Sequence, residues 1–131
     1  MAGNNDNLDK IKIIDNQEIA ASGTYTSIPI NCNDRKLIGN ISIQVEVTGD
    51  GTASFTWTQS NSYDPKDGTG DFVAPSGGNE IETGFTKTSG SASDGKDFFN
   101  IPMYNSQWFK ILCTETAGVN TVTVNAWLSM Q

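Results

Sequence analysis

Strict two-residue alternation limits this chain of 131 residues more than any other feature. In ISIQVEV (41–47), Ile41, Ile43, Val45 and Val47 fall on one parity, and Ser42, Gln44 and Glu46 on the other. TASFTWT (52–58) sets Ala53, Phe55 and Trp57 against four hydroxyl residues. SQWFKILCT (106–114) sets Phe109, Ile111 and Cys113 against Trp108, Lys110 and Leu112. TVTVNAWLSMQ (121–131) sets Val122, Val124, Ala126, Leu128 and Met130 against Thr121, Thr123, Asn125 and Trp127. A side-chain period of two is that of a strand with one buried face. No convincing amphipathic helix competes.

The connections suggest how these strands follow one another. TGDG (48–51) predicts a hairpin turn between the first two, with Asp50-Gly51 suited to a primed turn. ETAGVN (115–120) is too short for a parallel crossover, so the last two strands are also expected to pair as an antiparallel hairpin. TYTSIPI (24–30) carries Pro29, which lacks an amide donor, so this strand should lie at an edge or be interrupted. EIETGF (80–85) supports a short strand, while 59–78 and 87–97 read as long polar loops. The length suits one domain. The expected fold is therefore an all-β antiparallel β-sandwich, jelly-roll-like, with seven or eight short strands. A small closed barrel is the alternative. Residues 21–131 form the expected sandwich, and residues 1–20 a flexible N-terminal arm, with LDKIKIID as an edge strand or a segment that packs on another subunit.

Composition then narrows function. The chain has no histidine, which removes His-dependent triads, imidazole bases and His-bearing zinc sites. Its formal net charge of −7 disfavours a phosphate backbone as partner, and no basic run offsets it. Charged residues are 18% of the chain, so hydroxyl and amide groups must cover much of its surface. No segment approaches a transmembrane helix in apolar length. MAGNNDNLDK lacks the basic and apolar regions of a signal peptide, so synthesis in a cytoplasm is expected. Cys32 and Cys113 permit one disulfide, but both fall in strand-like segments and buried thiols are the simpler reading.

Few residues suggest chemistry. Asp64, Asp67 and Asp71 are candidate calcium ligands, since calcium takes several oxygens at flexible geometry. Lys66 and Pro75 break the calcium-loop pattern, and solvated turn carboxylates are the simpler reading. Glu46, Glu80 and Glu82 raise the question of a glycosidase pair, but spacing alone cannot set two carboxyls across a cleft. Trp57 shares the parity of Phe55 and reads as a packing residue. Trp108 and Trp127 lie opposite the apolar faces of their strands and are candidates, with Tyr63 and Tyr104, for a subunit interface or a ligand platform.

The C-terminal stretch QWFKILCTETAGVNTVTVNAWLSMQ resembles the ending of small β-rich virion proteins of tailed bacteriophages. In it a strand with an aromatic residue and Lys leads through TE-x-x-G to a Thr/Val strand and a Leu- and Gln-containing tail. ISIQVEVTGDGTASFTWTQS and GFTKTSGSASDGKDFFNI resemble the preceding parts of such proteins, so the likeness covers about residues 24–131. It implies a non-enzymatic structural subunit that decorates or stabilises a capsid, or belongs to the head or tail. It also implies a homo-oligomer, often a trimer, contacting other virion subunits, and it supplies no catalytic residue. The alternative is a carbohydrate-binding or adhesin-like β-sandwich that uses exposed tryptophans on a glycan.

Overall fold

The computed structural model describes residues 9–32, 40–102 and 106–130. Among them are nine strands and no helix: β1 (Asp9–Ile19), β2 (Thr24–Thr26), β3 (Ile30–Asn31), β4 (Asn40–Gly49), β5 (Ala53–Ser60), β6 (Glu80–Phe85), β7 (Lys96–Pro102), β8 (Trp108–Glu115) and β9 (Val122–Met130). They form two antiparallel sheets. Sheet A has the order β1-β9-β4-β7, and sheet B the order β2-β8-β5-β6 with β3 also beside β8. With β2 and β3 taken as one interrupted strand, the chain alternates between sheets at every step but β5–β6, as in a jelly roll. The sandwich is open rather than closed into a barrel.

The alternating residues do bury one face each. Ile41, Ile43, Val45 and Val47 of β4 and Val122, Val124, Ala126 and Leu128 of β9 line the inner side of sheet A. Ala53, Phe55 and Trp57 of β5 oppose them from sheet B, with Phe109, Ile111 and Cys113 of β8. Cys32 and Cys113 are both buried and not joined in a disulfide, and burial pushes the Cys113 thiol up to about 12, so it stays protonated and unreactive.

The two expected hairpins are not formed. β4 pairs with β7 and β9, and β5 with β6 and β8, so TGDG carries the chain from sheet A to sheet B. The 116–121 connection likewise carries it from β8 in sheet B to β9 in sheet A. Parity states which face of a strand is apolar. A strand that returns beside its predecessor and one that crosses to the facing sheet bury the same residues. Here the two connections pack on each other, with the Gly51 N–H donating to the Thr121 carbonyl at 2.9 Å.

Other departures have local causes. Pro29 splits the 24–31 segment into β2 and β3, both on the edge beside β8, which brings the strand number to nine. The Ser27 hydroxyl spans the break by accepting the Ile111 N–H at 2.9 Å. β7 begins inside the expected 87–97 loop, because the adjacent Phe98 and Phe99 hide its alternation.

Residues 9–19 of the expected N-terminal arm are edge strand β1, paired with β9 from Asp9↔Met130 to Ile19↔Val122. Two register shifts break its period, so neighbouring Ile13 and Ile14 are both buried. That segment is part of the sandwich and not a detached arm. Residues 1–8 lie outside the described residues.

One end of the sandwich is drawn together by Glu115, which is only 1% exposed. Its Oε1 accepts the N–H groups of Ser22 (3.0 Å) and Gly118 (2.8 Å). Its Oε2 accepts those of Thr52 (2.9 Å) and Ala117 (3.0 Å). These amides belong to three of the connections that pass between the sheets at this end: β1–β2, β4–β5 and β8–β9. Four amide dipoles stabilise the carboxylate and lower its pKa from 4.5 to about 2, led by the bonds from Thr52 and Ser22.

Candidate ligand-binding face

The outward-facing aromatics divide between two surfaces. Trp108 is on β8 in sheet B and Trp127 on β9 in sheet A, so the two tryptophans lie on opposite sides of the sandwich. They cannot share one ligand.

On sheet B the chain covers its own aromatic. After β5, residues 61–73 leave the sheet and return, closing on an antiparallel bridge between Gln59 and Val73. The buried Ser60 hydroxyl accepts the Ser62 and Tyr63 N–H groups at 3.1 and 3.0 Å, which sets the first turn. Gly70 has a φ of +130°, and a Cβ there would run into the Tyr63 backbone, so the loop can close this tightly only with glycine. Tyr63 is thereby laid edge-on to Trp108, with ring centroids 5.0 Å apart, and Phe72 packs on Tyr63 at 5.3 Å. The Lys110 ammonium lies 4.1 Å from the Phe72 centroid. Trp108 and Tyr63 thus meet as neighbours in the protein's own packing.

Sheet A has no such cover among the described residues. Across it, β-sheet register aligns Lys12, Trp127, Gln44 and Phe98 in one outward row through the pairs Lys12↔Trp127, Gln44↔Trp127 and Gln44↔Phe98. Phe98 is 62% exposed and Trp127 half-buried. The row above carries Asn100, Ser42 and Ser129, and the row below carries Lys96, Glu46 and Asn125. The Lys12 ammonium stands 5.0 Å from the Trp127 centroid and pairs with Asp15 at 2.8 Å. Lys96 pairs with Glu46 at 3.6 Å.

At the β7 edge this row opens into a shallow depression of about 320 Å³ between Phe98, Gln44 and the 91–97 segment, with Ser91 and Asp94 on its far wall. Gly95 holds that wall in place. Its φ is +77°, a side chain would strike the Val47 and Lys87 carbonyls, and its own carbonyl accepts the Val47 N–H at 2.8 Å. Asp94 and Asp97 each use one carboxylate oxygen on a nearby N–H, of Lys96 and Phe98 respectively. Such a surface offers aromatic faces, amides, hydroxyls and carboxylate oxygens within one patch.

The carboxylates Asp64, Asp67 and Asp71 are not gathered into a metal site. Asp64 Oδ1 accepts the Lys66 N–H at 2.9 Å as part of its own turn, and Asp67 and Asp71 are exposed. No group of three or more Asp, Glu, Cys or His side chains is placed to hold an ion among the described residues. Tyr104 lies outside the described residues. Phe98 and Gln44 were not legible as site residues, since β7 itself was hidden. Glu115 had a signal: it continues the inward parity of Phe109, Ile111 and Cys113, where a charged residue needs partners.

No family model matches the chain, and no curated protein matches it in sequence. Among solved structures it is similar to PliG of Aeromonas hydrophila, a periplasmic lysozyme inhibitor of g-type lysozyme. That match has 14% identity and a TM-score of 0.48, and covers 95% of this chain and 87% of the inhibitor. It is also similar to a chain of infectious bursal disease virus, Gx strain, at 13% identity and a TM-score of 0.47 over 94% of this chain. A third is VP2 of the same virus in a subviral particle, at 18% identity and a TM-score of 0.42. The protein spans 31% and 32% of those two viral chains. These are likenesses of fold alone, and the tailed-bacteriophage resemblance rests on the sequence.

Proposed function

We propose that the protein is a non-catalytic structural subunit of a virion, a decorating protein of a phage head or tail that works by presenting a surface. One observation carries this reading: the described residues close the edges and one aromatic face of the sandwich but leave the other face bare. β1 is interrupted by two register shifts and carries the Lys12–Asp15 pair. β6 shifts register against β5 and has Gly84 at a φ of +71°. Pro29 breaks the β2/β3 edge, and at β7 the Phe98 N–H is taken by the Asp97 carboxylate at 2.8 Å. Irregular, charged or self-capped edges resist strand addition. A sandwich guarded in this way contacts others through faces and segments, as a subunit of defined stoichiometry does. The sequence resemblance supports the virion setting and a homotrimer, with residues 1–8, which precede edge strand β1, as the attaching segment.

Light scattering on the purified chain and antibody labelling of the virions test this together. A trimer mass and label on the particle are expected. A chain lacking residues 1–8 should keep its fold and lose the label. Deleting residues 1–14 would not serve, because Ile13 and Ile14 belong to the core. A monomer mass with no label on particles would overturn the reading.

A further inference from the structure

The bare face of sheet A has a chemistry that points to one class of partner. We infer that the Trp127–Gln44–Phe98 row and the depression beside it bind a neutral oligosaccharide, an inference that rests on the surface-presenting role proposed above.

Geometry comes first. Trp127 and Phe98 lie two strands apart with Gln44 between them, which places them ~10 Å apart at the usual strand spacing. Two aromatic platforms with an amide between them suit an extended chain of rings better than a single compact ligand. The apolar C–H faces of sugar rings stack on aromatic side chains, and their hydroxyls both donate and accept hydrogen bonds. The matching groups are present. Gln44 offers a donor and an acceptor, Ser91 a hydroxyl, and Asp94 and Asp97 each a second carboxylate oxygen beyond the one bonded to backbone. At about 320 Å³ the depression is at the lower end of the range for small-ligand sites.

Charge then favours a neutral partner. Lys12, in the row, is matched by Asp15, and Lys96, beside it, by Glu46. Among the described residues no unmatched cation stands in the row itself to attract a phosphate, sulfate or uronate. A second protein chain fits less well, because the two aromatics are interspersed with amides and hydroxyls. A stable protein interface has an apolar core, which this surface does not provide. Lys12 has a distinct place: its ammonium lies over the Trp127 ring, so a sugar stacking on that face must displace it.

The test is titration of the full-length protein against a panel of neutral oligosaccharides, namely hexamers of glucose, galactose, mannose and N-acetylglucosamine, with heparin as the anionic control. At least one neutral hexamer should bind. Phe98→Ala and Trp127→Ala should each weaken it about tenfold or more, as expected for loss of a stacking platform. Tyr63→Ala, on the opposite sheet, should leave it unchanged, and Lys12→Ala should strengthen it. Circular dichroism on each variant separates lost binding from lost folding. Binding by no neutral hexamer, binding indifferent to both aromatic substitutions, or preference for heparin lost with Lys12→Ala would each overturn the inference. So would concentration-dependent self-association abolished by Phe98→Ala, which would make a second copy the occupant. Virion labelling beside the wild-type titration keeps the two readings apart. Wild-type label on the particles with no neutral hexamer bound removes only the glycan, whereas label absent from wild-type particles removes the virion role.

Discussion

Trp108 and Trp127 stand at equivalent points in their strands' patterns, each on the outward parity, and meet opposite fates. Trp108 is packed by Tyr63, which Phe72 backs in turn, so the 61–73 loop makes part of sheet B's outer side into a second, small core. Trp127 has the Lys12 ammonium over its ring, and its row continues through Gln44 to the exposed Phe98. The difference comes from the connections. β5 leads into a long loop with glycine and serine where closure needs them, and that loop returns along its own sheet. The residues around Trp127 are strands on both sides, β1 and β4, with no loop of comparable length among the described residues to fold over them. An outward aromatic that is covered contributes to stability. One that is left bare is free to contribute to recognition.

This contrast can be broken most severely by removing the joint on which both sheets depend. Glu115→Ala strands four amide groups near the sandwich end, and thermal unfolding should show a fall in Tm on the order of 10 °C. The same residue sets an acid limit. Its carboxyl is held at about 2 in the folded chain against 4.5 ordinarily, so the unfolded state binds the proton first as pH falls. Its stabilisation is therefore complete above about 4.5 and is lost progressively towards about 2. Urea midpoints from pH 6 to pH 2 should drop over this window in the wild type. In Glu115→Gln they should start lower and change less.

A smaller effect is expected from uncovering sheet B. Tyr63→Ala removes the ring that Trp108 and Phe72 both touch, and should cost about 2 kcal/mol in chemical unfolding. Tryptophan emission should shift to the red as Trp108 meets water. If stability were unaltered, the 61–73 loop would not be a cover, and the two faces would be alike. The smallest change belongs to sheet A. Phe98→Ala should move stability by no more than about 0.5 kcal/mol, as for a largely exposed side chain. A loss as large as that of Tyr63→Ala would place Phe98 in the fold's own packing and end its candidacy as a recognition residue.

Much of this architecture was readable before any coordinates. The alternation in 41–47, 52–58, 108–114 and 122–128 marked strands and their inward residues, and the inward residues are buried. Pro29 announced an interrupted edge, and β2 and β3 are its two halves. The bulge in β1 was visible only as an imperfect period at Ile13-Ile14, and β7 was masked by Phe98-Phe99. The candidate site was less legible. Trp127 was singled out by parity, whereas Phe98 and Gln44 become its companions only through pairing of β4 with both β9 and β7.

The division has a physical origin. Side-chain direction along an extended backbone is a local property, so parity alone assigns an inner and an outer face to each strand. Which strand pairs with which is a property of distant contacts. Glu115 binds amides 93 and 63 positions away and ties together three connections that cross between the sheets, two of them where hairpins were expected. The same distant contacts decide that a loop covers Trp108 and that, among the described residues, none covers Trp127. Local chemistry wrote nearly every inner face, and tertiary structure decided which outer face remained free to meet a partner.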